Sequence, residues 1–118
     1  MKKIVLVAIL SAMIFAGCNS QPQYKAVNEG GSLIENSKAF IKATERRCQK
    51  FDAEDWMVSV ENFEKMCKDF NANKGSLSVQ EQKCFEEQRM AYYEMVRSIK
   101  KEDVSLQVKH AISKAGLL

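Results

Sequence analysis

Three patterns of apolar and polar residues follow one another along the chain. Residues 4–15 form a short, almost unbroken apolar run. Residues 20–31 are polar, with scattered turn-forming residues. From Ser32 onward, apolar side chains recur every three or four positions, the spacing that puts them on one face of an α-helix. Leu33, Ile34, Ser37, Phe40, Ile41, Thr44, Cys48 and Phe51 make the first such face. Trp56, Val60, Phe63, Cys67 and Phe70 make the second. Phe85, Tyr92, Val96 and Ile99 make the third, with Cys84, Ala91 and Met95 beside them. No segment sustains alternation of period two, so no sheet is expected.

Helix-start signals divide this pattern. Ser32 with Glu35, and Ser78 with Glu81, have the spacing of a capping box. Asp52 caps a second helix with Asp55 at its third position, and Phe51 and Trp56 are placed as a hydrophobic staple. Residues 71–75 end the second helix, with Gly75 expected in a left-handed C-cap. Val104, Val108, Ala111, Ile112 and Ala115 sit well over a quarter-turn from the third apolar face, so one straight helix would turn half its apolar residues to water. A break at residues 100–103 is predicted, with Asp103 as a cap and Gly116 as the stop. Short loops favour antiparallel neighbours. The expected fold of residues 32–118 is all-α: a small antiparallel three-helix bundle with a short fourth C-terminal helix. Its core draws on Trp56, Phe63, Phe70, Phe85 and Tyr92.

The N-terminal pattern speaks to location. Lys2 and Lys3 precede the apolar run, and small Ala16 and Gly17 precede Cys18. This is a secretory-signal layout. The apolar stretch falls short of the roughly 20 residues a membrane-spanning helix needs, and polar Asn19, Ser20 and Gln21 follow at once. Phe15 stands where ordinary signal cleavage prefers a small residue. Phe15-Ala16-Gly17-Cys18 therefore resembles a bacterial lipobox. The resemblance implies that residues 1–17 are a cleaved signal peptide and that Cys18 carries a diacylglyceryl group and an N-acyl chain such as palmitate. Two or more chains anchor a protein stably, each buried CH₂ contributing about 0.8 kcal/mol. Asn19 in place of an aspartate favours the outer membrane, and the lack of acidic residues over 19–28 favours its periplasmic face. Residues 18–31 read as the lipidated cysteine and a flexible tether, with Pro22, Gln21, Gln23, Asn28, Gly30 and Gly31 and no periodicity.

Charge narrows the partners. The formal net charge of +3 includes Lys2 and Lys3, so the chain from Cys18 onward stands at +1. That excludes the strong basic excess of a nucleic-acid binder.

An exported chain meets an oxidising compartment. With Cys18 committed to lipid, Cys48, Cys67 and Cys84 remain, an odd number. Cys67 and Cys84 lie equally far from the predicted turn at Gly75 and Ser76. An antiparallel hairpin brings them level, so a Cys67–Cys84 disulfide is predicted, stabilising by about 3 kcal/mol in the chain-entropy model. Cys48 is the expected free thiol. The alternative is that all three are small buried apolar groups.

Catalytic signatures are not found. His110 is the only histidine, there is no Cys-x-x-Cys, and no local signature supports a Cys48–His110 nucleophile pair. Glu54-Asp55 and Glu86-Glu87 are neighbours on a helix and diverge by about 100°, so they do not converge on one site. There is no glycine-rich phosphate loop. No metal and no cofactor are expected. In the cluster Met90, Tyr92, Tyr93 and Met95, Tyr92 reads as core, and Tyr93, one step round, as an exposed contact residue.

Glu54-Asp55-Trp56, Phe63, Phe70, Asn73-Lys74, Leu77-Ser78 and Glu81-Gln82-Lys83 form a further string. Over about residues 51–96 it resembles a domain of unknown function found in small Bacteroidetes lipoproteins, from which Cys67 and Cys84 depart. The resemblance implies a helical hairpin and an envelope location, and brings no activity or functional residue.

The expectation is a non-enzymatic, lipid-anchored helical interaction module, held to the membrane by its N-terminal lipid and binding another envelope protein. Alternatives are a protective, immunity-type or inhibitory lipoprotein, and a thiol-based sensor using Cys48. The last requires an accessible sulfur with a depressed pKa.

Overall fold

A computed structural model describes residues 21–117 of the chain. Among them are four α-helices, α1 (Leu33–Arg47), α2 (Ala53–Asn73), α3 (Val79–Arg97) and α4 (Glu102–Lys114), and no strand. The expected all-α class and helix order hold. Three-residue 3-10 turns, Cys48–Lys50 and Lys74–Ser76, join α1 to α2 and α2 to α3.

Local chemistry fixes the helix starts. The Ser32 hydroxyl accepts the Glu35 amide at 3.1 Å. Asp52 and Asp55 form a full capping box: the Asp52 carboxylate accepts the Asp55 amide at 2.8 Å, and Asp55 accepts the Asp52 amide at 3.1 Å. Ser78 and Glu81 form a second box, at 3.0 and 2.8 Å. These satisfy amides that would otherwise lack partners in the first turn. Phe51 and Trp56 meet edge to face with centroids 5.2 Å apart, which completes the staple.

Two of the expected helix ends differ. Gly75 is not left-handed; positive φ occurs at Gly30, Gly31 and Gly116. The end of α2 is closed instead by the 3-10 turn, where the Leu77 amide donates to Lys74 and the Ser76 hydroxyl to Asn73. Asp103 does not cap α4; Lys101 holds that position with extended backbone and no side-chain bond. Glu102 and Asp103 occupy the first turn instead, where negative charge favours the helix dipole. Gly116 does end α4, at φ 75°. The amide of Gly116 donates to Ser113 and that of Leu117 to Ile112, a Schellman pair.

The core is organised around one ring. Tyr92 of α3 is fully buried. Phe63 of α2 stacks on it with centroids 3.9 Å apart. Phe40 of α1 lies 6.2 Å away on a nearly parallel plane, and Trp56 meets it edge-on at 6.2 Å. Further along, Phe70 stacks on Phe85 at 4.0 Å. Moving forward on α2 from 63 to 70 thus moves backward on α3 from 92 to 85, so the two helices are antiparallel. The closest backbone approaches are α1 against α3 and α2 against α4. Between α2 and α3 the paired rings fill the gap.

The Tyr92 hydroxyl lies 2.9 Å from that of Ser59, itself buried. Tyr92→Phe is expected to leave Ser59 unpaired and cost about 1–3 kcal/mol. Tyr92→Ala, which also opens a cavity, is expected to cost about 3–5 kcal/mol. Urea unfolding followed by Trp56 fluorescence measures both. Equal losses for the two variants would overturn this account of the ring and its hydroxyl.

Candidate functional site

The segment expected to be a flexible tether is folded against the bundle from residue 21 onward. Its Tyr24 is 4 % exposed, with its ring edge-on to Phe40 at 6.5 Å. The Tyr24 amide donates to Asn62 Oδ1 at 2.9 Å, and its hydroxyl to Asp69 Oδ2 at 2.6 Å. The Val27 amide donates to the same Asp69 oxygen at 2.9 Å. Further upstream, the Gln21 side-chain amide donates to Asp55. The contacts at Asp55, Asn62 and Asp69 follow one another along α2, so residues 21–27 form an extended strap that runs parallel to it.

Each acceptor on α2 is itself held. Asn62 donates to the Val58 carbonyl at 3.1 Å, which orients its oxygen toward the strap. Asn73 donates to Asp69 Oδ1 at 3.1 Å, leaving Oδ2 for the strap. Burial first, then the bond to Asp69, pushes the Tyr24 phenol well above its ordinary pKa, so it stays a donor. A 3-10 turn, Val27–Glu29, then leads into Gly30 and Gly31. Gly31 has φ 78°, and a Cβ there would lie 2.5 Å from Asn36 Oδ1. Asn36 donates to the Gly30 carbonyl at 2.8 Å, so the chain reverses tightly into α1.

The thiols correct the predicted disulfide: Cys48, Cys67 and Cys84 are all free. In the register set by the two ring stacks, Cys67 is level with residue 88, about one turn from Cys84. Cys84 is also about 100° round α3 from the interfacial Phe85. The two cysteines match in sequence distance from Gly75 and Ser76 but not in angle round their helices. Cys67 is buried, and burial pushes its pKa up to about 11. Cys48 is half-buried in the turn after α1, and burial raises its pKa too, opposite to what a reactive thiolate needs.

Tyr93 is corrected as well. It is not an exposed contact residue but half-buried, edge-on to Phe63 at 5.6 Å. Its hydroxyl donates to the Leu117 carbonyl, which ties the end of α4 to α3. His110 lies exposed on α4. Cys18 and the lipobox lie outside the described residues. Among the described residues, no group of histidine, cysteine and carboxylate side chains is arranged to hold a metal ion. No described helix is long and apolar enough to cross a membrane.

The element that the sequence pattern does not reveal is the strap. Its signal is Tyr24, the one aromatic residue in residues 20–31, followed closely by Ala26 and Val27. Comparison of the chain with protein-family models, with curated proteins and with solved structures finds no match.

Asp69→Ala removes the acceptor for Tyr24 and Val27 and is expected to release the strap, at a cost of about 2–3 kcal/mol. Trypsin cleavage at Lys25 measures it. Resistance equal to that of the parent protein would show that Asp69 does not hold the strap.

The raised Cys67 pKa also has a pH consequence. Above its ordinary value of 9.0 the unfolded thiol loses its proton, while the folded one keeps it up to about 11. This contribution is intact below pH 9 and is lost as pH rises to 11. The urea midpoint of the parent protein is expected to fall more steeply over that window than that of Cys67→Ala. Parallel curves would contradict the assignment.

Proposed function

We propose that the protein is a lipid-anchored lipoprotein of the cell envelope, whose helical body is a non-enzymatic module that binds another envelope protein. The observation that carries this reading is Phe15-Ala16-Gly17-Cys18 after a short apolar run, followed at once by polar residues. Lipidation at Cys18 would hold the body at the outer membrane, on the periplasmic side. The bundle supplies a well-anchored body for such a module, since its caps and aromatic core leave the outer helix faces free for recognition. Val79 and Met90, two of its exposed large apolar residues, are three helical turns apart on the outer face of α3. The thiol-sensor reading loses support, because burial raises the Cys48 pKa instead of depressing it.

In cells fed labelled palmitate, the parent protein is expected to incorporate the label and Cys18→Ser to lose it. Crosslinking of envelopes is then expected to recover a specific protein with the parent and not with Cys18→Ser. Absence of label from the parent would end the lipoprotein reading. Label without any recovered partner would end the interaction-module reading alone.

A further inference from the structure

The docked strap changes what the lipid anchor does to the body. Resting on the lipoprotein reading above, we propose that one end of the bundle is held against the lipid headgroups. This is the end formed by the α1–α2 and α3–α4 turns, and the α2–α3 turn is held away from the membrane.

Gln21 is bonded to Asp55, in the first turn of α2. The strap runs from there toward Asp69, so Gln21 lies at the N-terminal end of α2. The helix directions place other segments at the same end. α1 finishes there, because α2 starts a few residues later after the turn Cys48–Lys50. α3 also finishes there, because it runs antiparallel to α2; in the ring-stack register Asp55 is level with residue 100. The exposed lysines Lys50, Lys100 and Lys101 therefore gather at the end where Gln21 lies. The turn Lys74–Ser76 lies at the opposite end, since α2 has 21 residues and spans about 31 Å at about 1.5 Å per residue.

Reach then decides the matter. Cys18 is three residues from Gln21, and three residues span at most about 11 Å. A lipidated Cys18 sits at the boundary between hydrocarbon and headgroups, and the headgroup layer is only about 5–7 Å thick on each side. Gln21 and the end of the bundle bonded to it are therefore kept at the headgroup surface. A free tether over residues 18–31 would impose no such limit; the bonds to Asn62 and Asp69 do.

Charge does not drive this contact. The same end carries Glu45, Glu54, Glu94, Glu102 and Asp103 beside its lysines, so both signs are present. The lysine tips can meet lipid phosphates, but the short leash supplies the proximity. Raised salt, which weakens a polybasic surface contact, should leave it in place.

The test uses the full acylated protein in vesicles of phosphatidylethanolamine and phosphatidylglycerol. A photo-crosslinking amino acid replaces Lys50, Lys100, Lys74 or Gly75 in turn, and acylation of Cys18 is verified by mass. Lipid adducts are expected at positions 50 and 100, at low and high salt, and not at 74 or 75. A flexible glycine-serine insert between Ser20 and Gln21 is expected to abolish the adducts while Cys18 stays acylated. Acylated protein with adducts at both ends, at neither end, or unchanged by the insert would overturn the proposal and leave the lipoprotein reading standing. A Cys18 without lipid would overturn both.

Discussion

The burial of the Tyr92 ring is the constraint on which the rest of the structure depends. Helices α1, α2 and α3 each bring an aromatic side chain to it: Phe40, then Trp56 and Phe63, then Tyr92 itself. A phenol sealed from water must find a polar partner or lose the free energy of its lost hydration. Ser59 on α2 provides one, and this fixes the rotation of α2 as well as its distance. The stacked pairs Phe63–Tyr92 and Phe70–Phe85 then act as spacers of fixed thickness between α2 and α3. With these two held apart, α1 closes on α3 and α4 on α2. The order of neighbours follows from ring size as much as from the short connecting turns.

The strap is an extension of this core. Tyr24 sets its edge against Phe40, the ring that lies beside Tyr92, so the N-terminal segment is coupled to the centre through two aromatic contacts. Its polar groups go to Asn62 and Asp69. Both residues are held from behind, by Val58 and Asn73, so they are oriented before the strap arrives. Preorganised acceptors lower the entropy lost on ordering. The glycine pair and Asn36 then turn the chain sharply into α1. A segment poor in apolar residues is thereby docked on the bundle by one buried ring and a few well-placed hydrogen bonds.

What was legible in the sequence was local. The caps at Ser32, Asp52 and Ser78, the Phe51–Trp56 staple, the break before α4 and the stop at Gly116 each depend on residues within a few positions of one another. What was not legible depends on angle or on distant partners. Cys67 and Cys84 are equidistant from the turn, yet the ring stacks set a different register and Phe85, not Cys84, faces α2. Tyr93 is one step from Tyr92 and reads as surface until the end of α4 is folded back beside it. Gly75 is a plausible left-handed stop, but Lys74–Ser76 closes α2 by 3-10 bonding. Tyr24 carries no periodic signal at all, since its partners lie 38 and 45 residues away.

The strap matters most for the geometry of any encounter. A free glycine- and polar-rich spacer of residues 18–31 would have a root-mean-square reach of about 20 Å, letting the body explore a shell around its anchor and turn freely. With residues 21–27 bonded along α2 and Gly30 to Asn36 of α1, only the residues between Cys18 and Gln21 would remain as a leash for a lipidated Cys18, and the body's height and tilt would become properties of its fold. On the lipid-anchored reading, a partner would then be met at a set distance from the membrane, by the outer faces of the helices or by the α2–α3 turn. The strap's bonds therefore stand between two mechanical regimes. On the proposed lipid anchor, a docked strap would make the protein a fixed post at the membrane surface, and a released one would make it a body on a long tether. Which regime holds depends on the acceptors spaced along α2, Asp55, Asn62 and Asp69, together with the burial of Tyr24.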